Sequence, residues 1–376
     1  MALVNDRPAR ARTGRPTSPR FGLVEELRGA AALAVVLYHA YKGRHVPDLM
    51  ATMPDWLKWL VTHGYLGVAV FFALSGFVVA HSMAEHDRTC SSILRFLGRR
   101  FLRLAPPYWF AIFATIVAMA LSSRLVGGKE LPPISVAQVF AHAFYLQDLL
   151  KYPEISPVFW TLCLEVQFYV TYALFLTMSR KSTAETAGND RFSLVCVAAA
   201  IVSLLWPIGL VSSETWAGTF LPLWYCFLLG VLSYSSWRNP AFQPYYAIYV
   251  SAILFVGVVT KNEMAVTTSL TSLLLYYAAT KQFLSTGIGW RPLLSLGAVS
   301  YSLYLTHNPI TGAVFRIGYM LTGKSIATEL VWWPLSVAAC IVFASLVSDL
   351  IEKPSMRLAK RSRDLDLNSA GSGVIR

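Results

Sequence analysis

Residues 64–82, GYLGVAVFFALSGFVVAHS, contain no Asp, Glu, Lys or Arg. A helix of that length covers about 28 Å, close to the roughly 30 Å hydrocarbon core of a bilayer. Nine further apolar stretches read as spans, three of them (22–42, 158–178 and 330–350) with charged residues inside: 22–42, 104–122, 158–178, 192–212, 217–236, 244–260, 264–280, 293–315 and 330–350. The chain has 376 residues, 55% of them hydrophobic and 14% charged, with a mean hydropathy of +0.51. A soluble domain carries about a quarter charged residues. The sequence therefore predicts an all-α integral membrane protein of ten transmembrane helices in one domain, 21–352. Before it lies a basic, disordered tail, 1–20, and after it a basic, then disordered, cytosolic tail, 353–376. An apolar stretch at 136–150 is too short to span and is expected to be re-entrant or interfacial.

The net charge is +12. The basic residues sit between apolar spans and not on aromatic-interleaved stretches, so they read as topology signals and a bilayer, not nucleic acid, is the partner. With Met1 in the cytosol, segments 1–28, 83–103, 179–191, 237–243, 281–292 and 351–376 fall inside and hold 23 of the 32 Lys and Arg. Both termini are thus expected to be cytosolic. Five cysteines, Cys90, Cys163, Cys196, Cys226 and Cys340, show no paired short spacing, so neither a disulfide frame nor a zinc site follows. Residues 1–20 lack the apolar core of a signal peptide.

Ionisable groups inside apolar spans are costly, and they mark functional sites unless they reach the interface or a structural partner. Arg28 and His39 are eleven residues apart, so they share one helix face about 16 Å apart along its axis. Arg28 also suits snorkelling to headgroups, and His39 a place near the outer interface. Arg99, Arg100 and Arg103 cluster before Pro106 and Pro107, where the third span is expected to begin. Guanidinium clusters bind phosphate, but the same run suits a plain positive-inside stop. Glu165 lies in FWTLCLEVQFYVTY and needs a partner; contact with His39 would fix the imidazole tautomer. An interhelical strut is the alternative. Ser300, Tyr304, His307 and Thr311 form a polar stripe that would line an acceptor path or bind helices together. Gly67, Ser75 and Gly76 permit close helix approach. No internal repeat is visible, which weighs against a transporter or flippase of glycolipids or organic acids.

The segments ELRGAAALAVVLYH (26–39), GVAVFFALSGFVVA (67–80), RRFLRLAPPYW (99–109), FWTLCLEVQFY (159–169), SYSLYLTH (300–307) and IEKPS (351–355) appear in this order. Together they resemble the acyltransferase-3 family of membrane acyltransferases, which O-acylate surface glycans, Nod factors and some antibiotics. The resemblance implies a ten-helix enzyme of the bacterial cytoplasmic (inner) membrane that takes an acyl group, usually acetyl, from cytosolic acyl-CoA. It implies a glycan, glycolipid or small hydroxylated acceptor, acetyl-CoA as cosubstrate, and no bound cofactor or metal. The family's residues map onto Arg28 and His39, onto Arg100 and Arg103 with Arg99 adjoining, and onto Glu165.

On that resemblance the nucleotide docks at Arg99, Arg100 and Arg103, and the pantetheine arm passes Arg28. His39 is the general base, oriented by Glu165. Trp160, Tyr169, Ser300, Tyr304 and His307 are candidates for the acceptor path, with Trp160 also a candidate oxyanion donor. If an acyl-enzyme forms, Ser75, Cys163 or Ser300 would carry it. Glu26 departs from the family pattern by occupying the usual small position of the first motif. The fused periplasmic hydrolase-like domain of some members is not expected here.

Overall fold

A computed structural model describes residues 21–84, 89–125, 133–178 and 198–360. The expected tails at 1–20 and 361–376, the basic segment 179–191, Cys196 and the start of the 192–212 stretch lie outside these residues. Among the described residues the fold is helical, without strands. In chain order the helices are α1 (Gly22–Lys42), α2 (Pro47–Thr52), α3 (Asp55–Thr62), α4 (Gly67–Ala84), α5 (Cys90–Leu125), α6 (Val136–Ala143), α7 (Trp160–Met178) and α8 (198–203). There follow α9 (Trp224–Arg238), α10 (Gln243–Val259), α11 (Glu263–Thr280), α12 (Phe283–Thr286), α13 (Arg291–Ala298), α14 (Ser300–Thr322) and α15 (Ile326–Val347). Among the described residues, four helical stretches are long and apolar enough to cross a membrane: Gly64–Ala84, Cys90–Arg124, Pro240–Val259 and Ile326–Lys360. α1, α7 and α14 carry charged or polar side chains along their length, and α9, at 15 residues, is short of a spanning length.

Several expected boundaries shift. Pro106 and Pro107 do not start a helix; they lie inside the 36-residue α5. Proline's φ fits a helix, and what it loses is its own N–H bond, so a neighbour that takes up freed backbone groups lets the helix continue. The carbonyls the two prolines free are those of Leu102 and Arg103, and Tyr301 of α14 donates to the next one, Leu104, 2.8 Å away, which ties α5 to α14 at that turn. The 293–315 stretch is two helices, α13 and α14, separated at Val299. The 192–212 stretch is helical only to residue 203 where it is described. The C-terminal helix runs beyond the 330–350 stretch: after a π-turn at Ser348–Glu352 it continues to Lys360.

Close backbone approach sets the packing. α4 runs against α9, where a Cβ on Gly76 would stand 2.0 Å from the Phe227 carbonyl oxygen and one on Gly230 would stand 2.0 Å from that of Ala73. α1 packs on α13, α4 and α14, and α14 on α15.

Three buried carboxylates tie distant segments together. Glu26 accepts from the backbone N–H groups of Ile288 and Trp290, 2.7 and 2.9 Å away, at the entry to α13. Its place in the first motif is thereby explained: it caps a helix that packs on its own. Glu329 accepts from Leu49 N at 2.6 Å at the start of α2, and Glu352 from Ser302 Oγ at 2.6 Å. Hydrogen bonds to charged groups contribute about 1.5–3 kcal/mol each. Glu26→Leu leaves two N–H groups without their acceptor, and an apparent loss of about 2–5 kcal/mol, read as a lower Tm of the purified protein, is the expected result.

Candidate active site

α1, α4, α5, α7 and α14 enclose a cavity with an empty volume of about 830 Å³, its mouth included. α4 is antiparallel to α1: Gly67 meets Ala31, whereas the Phe21 ring meets Phe77 and His81. α14 is parallel to α1, bringing Leu303 to Ala32 and Val36, and His307 to His39. The cavity can therefore be read from end to end along α1.

At the end near the α1 N-terminus, Arg28, Arg100 and Arg103 line it. The Nε of Arg28 is buried without a hydrogen-bond partner. Arg100 donates to Ser82 Oγ at 3.2 Å, and its guanidinium lies 5.4 Å from the ring centres of both Phe96 and Tyr169. Such contacts hold the side chain by cation–π attraction and leave N–H groups for an anion. Arg99 does not line the cavity. Val68, Phe71, Phe72 and Leu74 of α4 supply apolar wall.

Midway, Glu165 Oε1 accepts from Ser75 Oγ at 2.7 Å and from the Tyr169 hydroxyl, and Ser75 and Tyr169 are themselves 3.0 Å apart. The expected Glu165–His39 contact is not formed. α7 runs opposite to α1, so Glu165 stands level with Ser75 and Arg100, while His39 lies further toward the α1 C-terminus. Spacing within each helix fixes neither the direction nor the register of one helix against another.

At the far end Thr161 and Tyr304 line the cavity, their hydroxyls 2.8 Å apart. One turn beyond, His307 is fully buried, and its ring centre is 6.2 Å from that of Tyr304 and 4.9 Å from that of His39. His39 Nδ1 is 2.9 Å from the Val35 carbonyl, and His307 Nδ1 is 2.9 Å from that of Tyr304. Each Nδ1–H donates to its carbonyl, so each Nε2 presents a lone pair; that of His307 has no partner. Two imidazole acceptors in contact, one turn beyond an arginine-lined cavity, can take a proton from a hydroxyl brought to the Nε2 of either.

The polar stripe of α14 is thus divided. Ser300 and Tyr304 line the cavity, His307 joins His39, and Thr311 packs 3.4 Å from Cys340 Sγ. Tyr169 belongs with Glu165 and Arg100, and Trp160 lines a separate depression. Cys163 is buried, donating to the Tyr145 carbonyl at 3.0 Å. Thr161 carried no sequence signal beyond its place beside Trp160. No group of three or more His, Cys, Asp or Glu side chains suited to a metal ion occurs among the described residues.

The family model described as an acyltransferase domain, acyltransferase-3, matches residues 24–349. The acyltransferase MdmB of Streptomyces mycarofaciens is 27% identical over 93% of this chain and 95% of its own length. The peptidoglycan O-acetyltransferase OatA of Listeria monocytogenes is 23% identical over 91% of this chain, and the O-acetyltransferase OatA of Staphylococcus aureus 24% identical over 82%. The alignments span 57% and 53% of those two proteins, so this chain matches little more than half of each. No solved structure matches.

Proposed function

This chain belongs to the acyltransferase-3 family of membrane enzymes that transfer acyl groups, and from that premise we propose that it moves an acyl group, acetyl in the first instance, from cytosolic acyl-CoA to a hydroxyl of a glycan, glycolipid or small acceptor. The observation that carries the donor reading is the cavity itself. It has three arginines at one end, an apolar wall along its length and the His39–His307 pair one turn beyond its other end. Phosphates suit guanidinium groups, and the pantetheine arm suits the apolar passage. The ten-span topology with both termini cytosolic in a bacterial inner membrane belongs to the same proposal; it puts the arginine end toward the cytosolic CoA pool.

His39 acts as general base. Its Nε2 takes the proton of the acceptor hydroxyl as the oxygen attacks the thioester carbonyl. The tetrahedral intermediate collapses with loss of the CoA thiolate, which takes the proton back from the imidazolium, leaving ester and free CoA. Glu165 holds Tyr169 and Ser75 in the cavity wall below the reacting carbonyl. The family's acid thus acts on the donor passage and not on the imidazole.

CoA protection of the detergent-solubilised protein tests the donor. At about 100 times its Kd, CoA stabilises the fold by about 2.7 kcal/mol and raises the Tm. Arg103→Ala, which removes a charge-assisted contact, weakens that binding by about 10- to 100-fold. Absence of protection by both CoA and acetyl-CoA would defeat the acyl-CoA reading.

A further inference from the structure

Trp160 stands at the start of α7, beside Thr161, but lines a second depression outside the donor cavity. This open depression, about 610 Å³ with its open side counted, is lined by Trp160, Trp216, Asp148, Ser213 and Thr219 in an otherwise apolar wall. From Trp160, Tyr304 is reached through Thr161, and His307 and His39 follow. The depression therefore lies at the histidine end of the bundle, opposite the arginines.

We infer that this depression is a sugar subsite, in which Trp160 and Trp216 receive the face of a pyranose ring of the acceptor and the Asp148 carboxyl binds its hydroxyls. The inference rests on the acyltransferase reading for its place in catalysis. Its chemistry comes from the depression. A pyranose has a face of C–H bonds that matches the negative face of an indole, and a rim of hydroxyls that matches a carboxyl. A pocket with aromatic walls and a few placed polar groups is the usual form of a small-molecule site.

The subsite is built before any ligand arrives. Trp206 meets Trp216 edge-on, with ring centres 6.2 Å apart at 87°, while Trp216 itself remains 42% exposed. Gln167 of α7 spans the segment below: its Nε2 donates to the Gly218 carbonyl at 2.9 Å and its Oε1 accepts from Phe220 N at 3.1 Å. Gly218, at φ +86°, lies against the backbone of Asp148, where a Cβ would stand 2.4 Å from the carbonyl oxygen. The segment carrying Trp216 and the backbone of Asp148 are thus fixed relative to one another. Burial and the neighbouring Glu154 carboxyl push the Asp148 carboxyl up to about 8, so that it can donate as well as accept at neutral pH.

Tyr304 and His307 stand between Trp160 and His39, so the ring held here is not the one acylated. It is a neighbouring ring of the same glycan, and the enzyme prefers an acceptor longer than one sugar. An aromatic belt at a membrane interface also uses tryptophan, but its rings face lipid; these two share a concave wall with Asp148.

Isothermal titration of the full-length, detergent-solubilised chain with chitotetraose and cellotetraose tests the subsite. Saturable binding of at least one is expected, weakened about tenfold or more in Trp216→Ala and in Asp148→Ala and retained in Trp216→Tyr. CoA protection should be the same in all of these proteins, which also verifies their fold. Failure of both oligosaccharides to bind wild type, or binding by Trp216→Ala and Asp148→Ala equal to that of wild type, would overturn the inference. Loss of CoA protection in wild type would instead strike the acyltransferase reading and leave the sugar result standing.

Discussion

Replacing His39 with alanine lowers kcat for acyl transfer by about 10²- to 10⁴-fold and leaves CoA protection unchanged. The split follows from position. The cavity that would hold the donor is lined by Arg28, Arg100 and Arg103, and His39 is not among its lining residues. The imidazole makes one hydrogen bond, to its own helix at Val35, and ring contacts with Tyr38 and His307, none of them with the residues lining the donor cavity. His39→Gln gives no rescue, because an amide of similar reach cannot take a proton. Steady-state kinetics at saturating acetyl-CoA, set beside a CoA melting curve for each protein, check the prediction; a raised donor KM with unchanged kcat would instead make His39 a donor-binding residue.

Gly76→Leu abolishes accumulation of folded protein, and Gly76→Ala lowers its Tm sharply. A Cβ at Gly76 would meet the Phe227 carbonyl oxygen at 2.0 Å, and Gly230 faces Ala73 in the same way from α9. The obstacle is backbone on both sides, so no rotamer change relieves it. Only separation of α4 from α9 does, and the Phe227 ring packs between Phe72 and Phe168, with centres 4.4 and 4.3 Å away. Overpacking costs about 1–3 kcal/mol where side chains can yield, and more where they cannot. Gly98, where a Cβ would have nothing within 4 Å, is the control: Gly98→Ala should leave the melting curve unchanged or raise it slightly. Monodispersity on size-exclusion chromatography and melting curves read both outcomes.

The helices that the sequence placed best are those whose apolar run ends in polar or turn residues. The stretches 22–42, 244–260 and 264–280 correspond to α1, α10 and α11 within a residue or two at each end. Boundaries failed where a tertiary contact overrides a local signal. Pro106 and Pro107 read as a helix start, yet α5 continues through them, tied to α14 by Tyr301. The break at Val299 has no proline or glycine at the position itself to announce it.

The site divides in the same way. Arg28, Arg100, Arg103 and Ser300 were legible because charge or a hydroxyl in an apolar span demands an environment, and they do line one cavity. The partner of Glu165 was not legible, since helix direction and register decide it. Nor was the meeting of His39 with His307, which required α1 and α14 to be parallel neighbours. Asp148 and Trp216 sit on connecting segments, where no periodicity marks a residue for a role.

Transfer of radiolabel from acetyl-CoA to a crude surface-glycan fraction, in membranes holding wild type or His39→Ala at equal protein levels, tests the central claim most directly. Label in the glycan with wild type and none with His39→Ala is the predicted result. Equal labelling by the two would contradict the assignment of His39 as the base and move the chemistry to His307, and no labelling by wild type would contradict transfer from acetyl-CoA to a surface glycan.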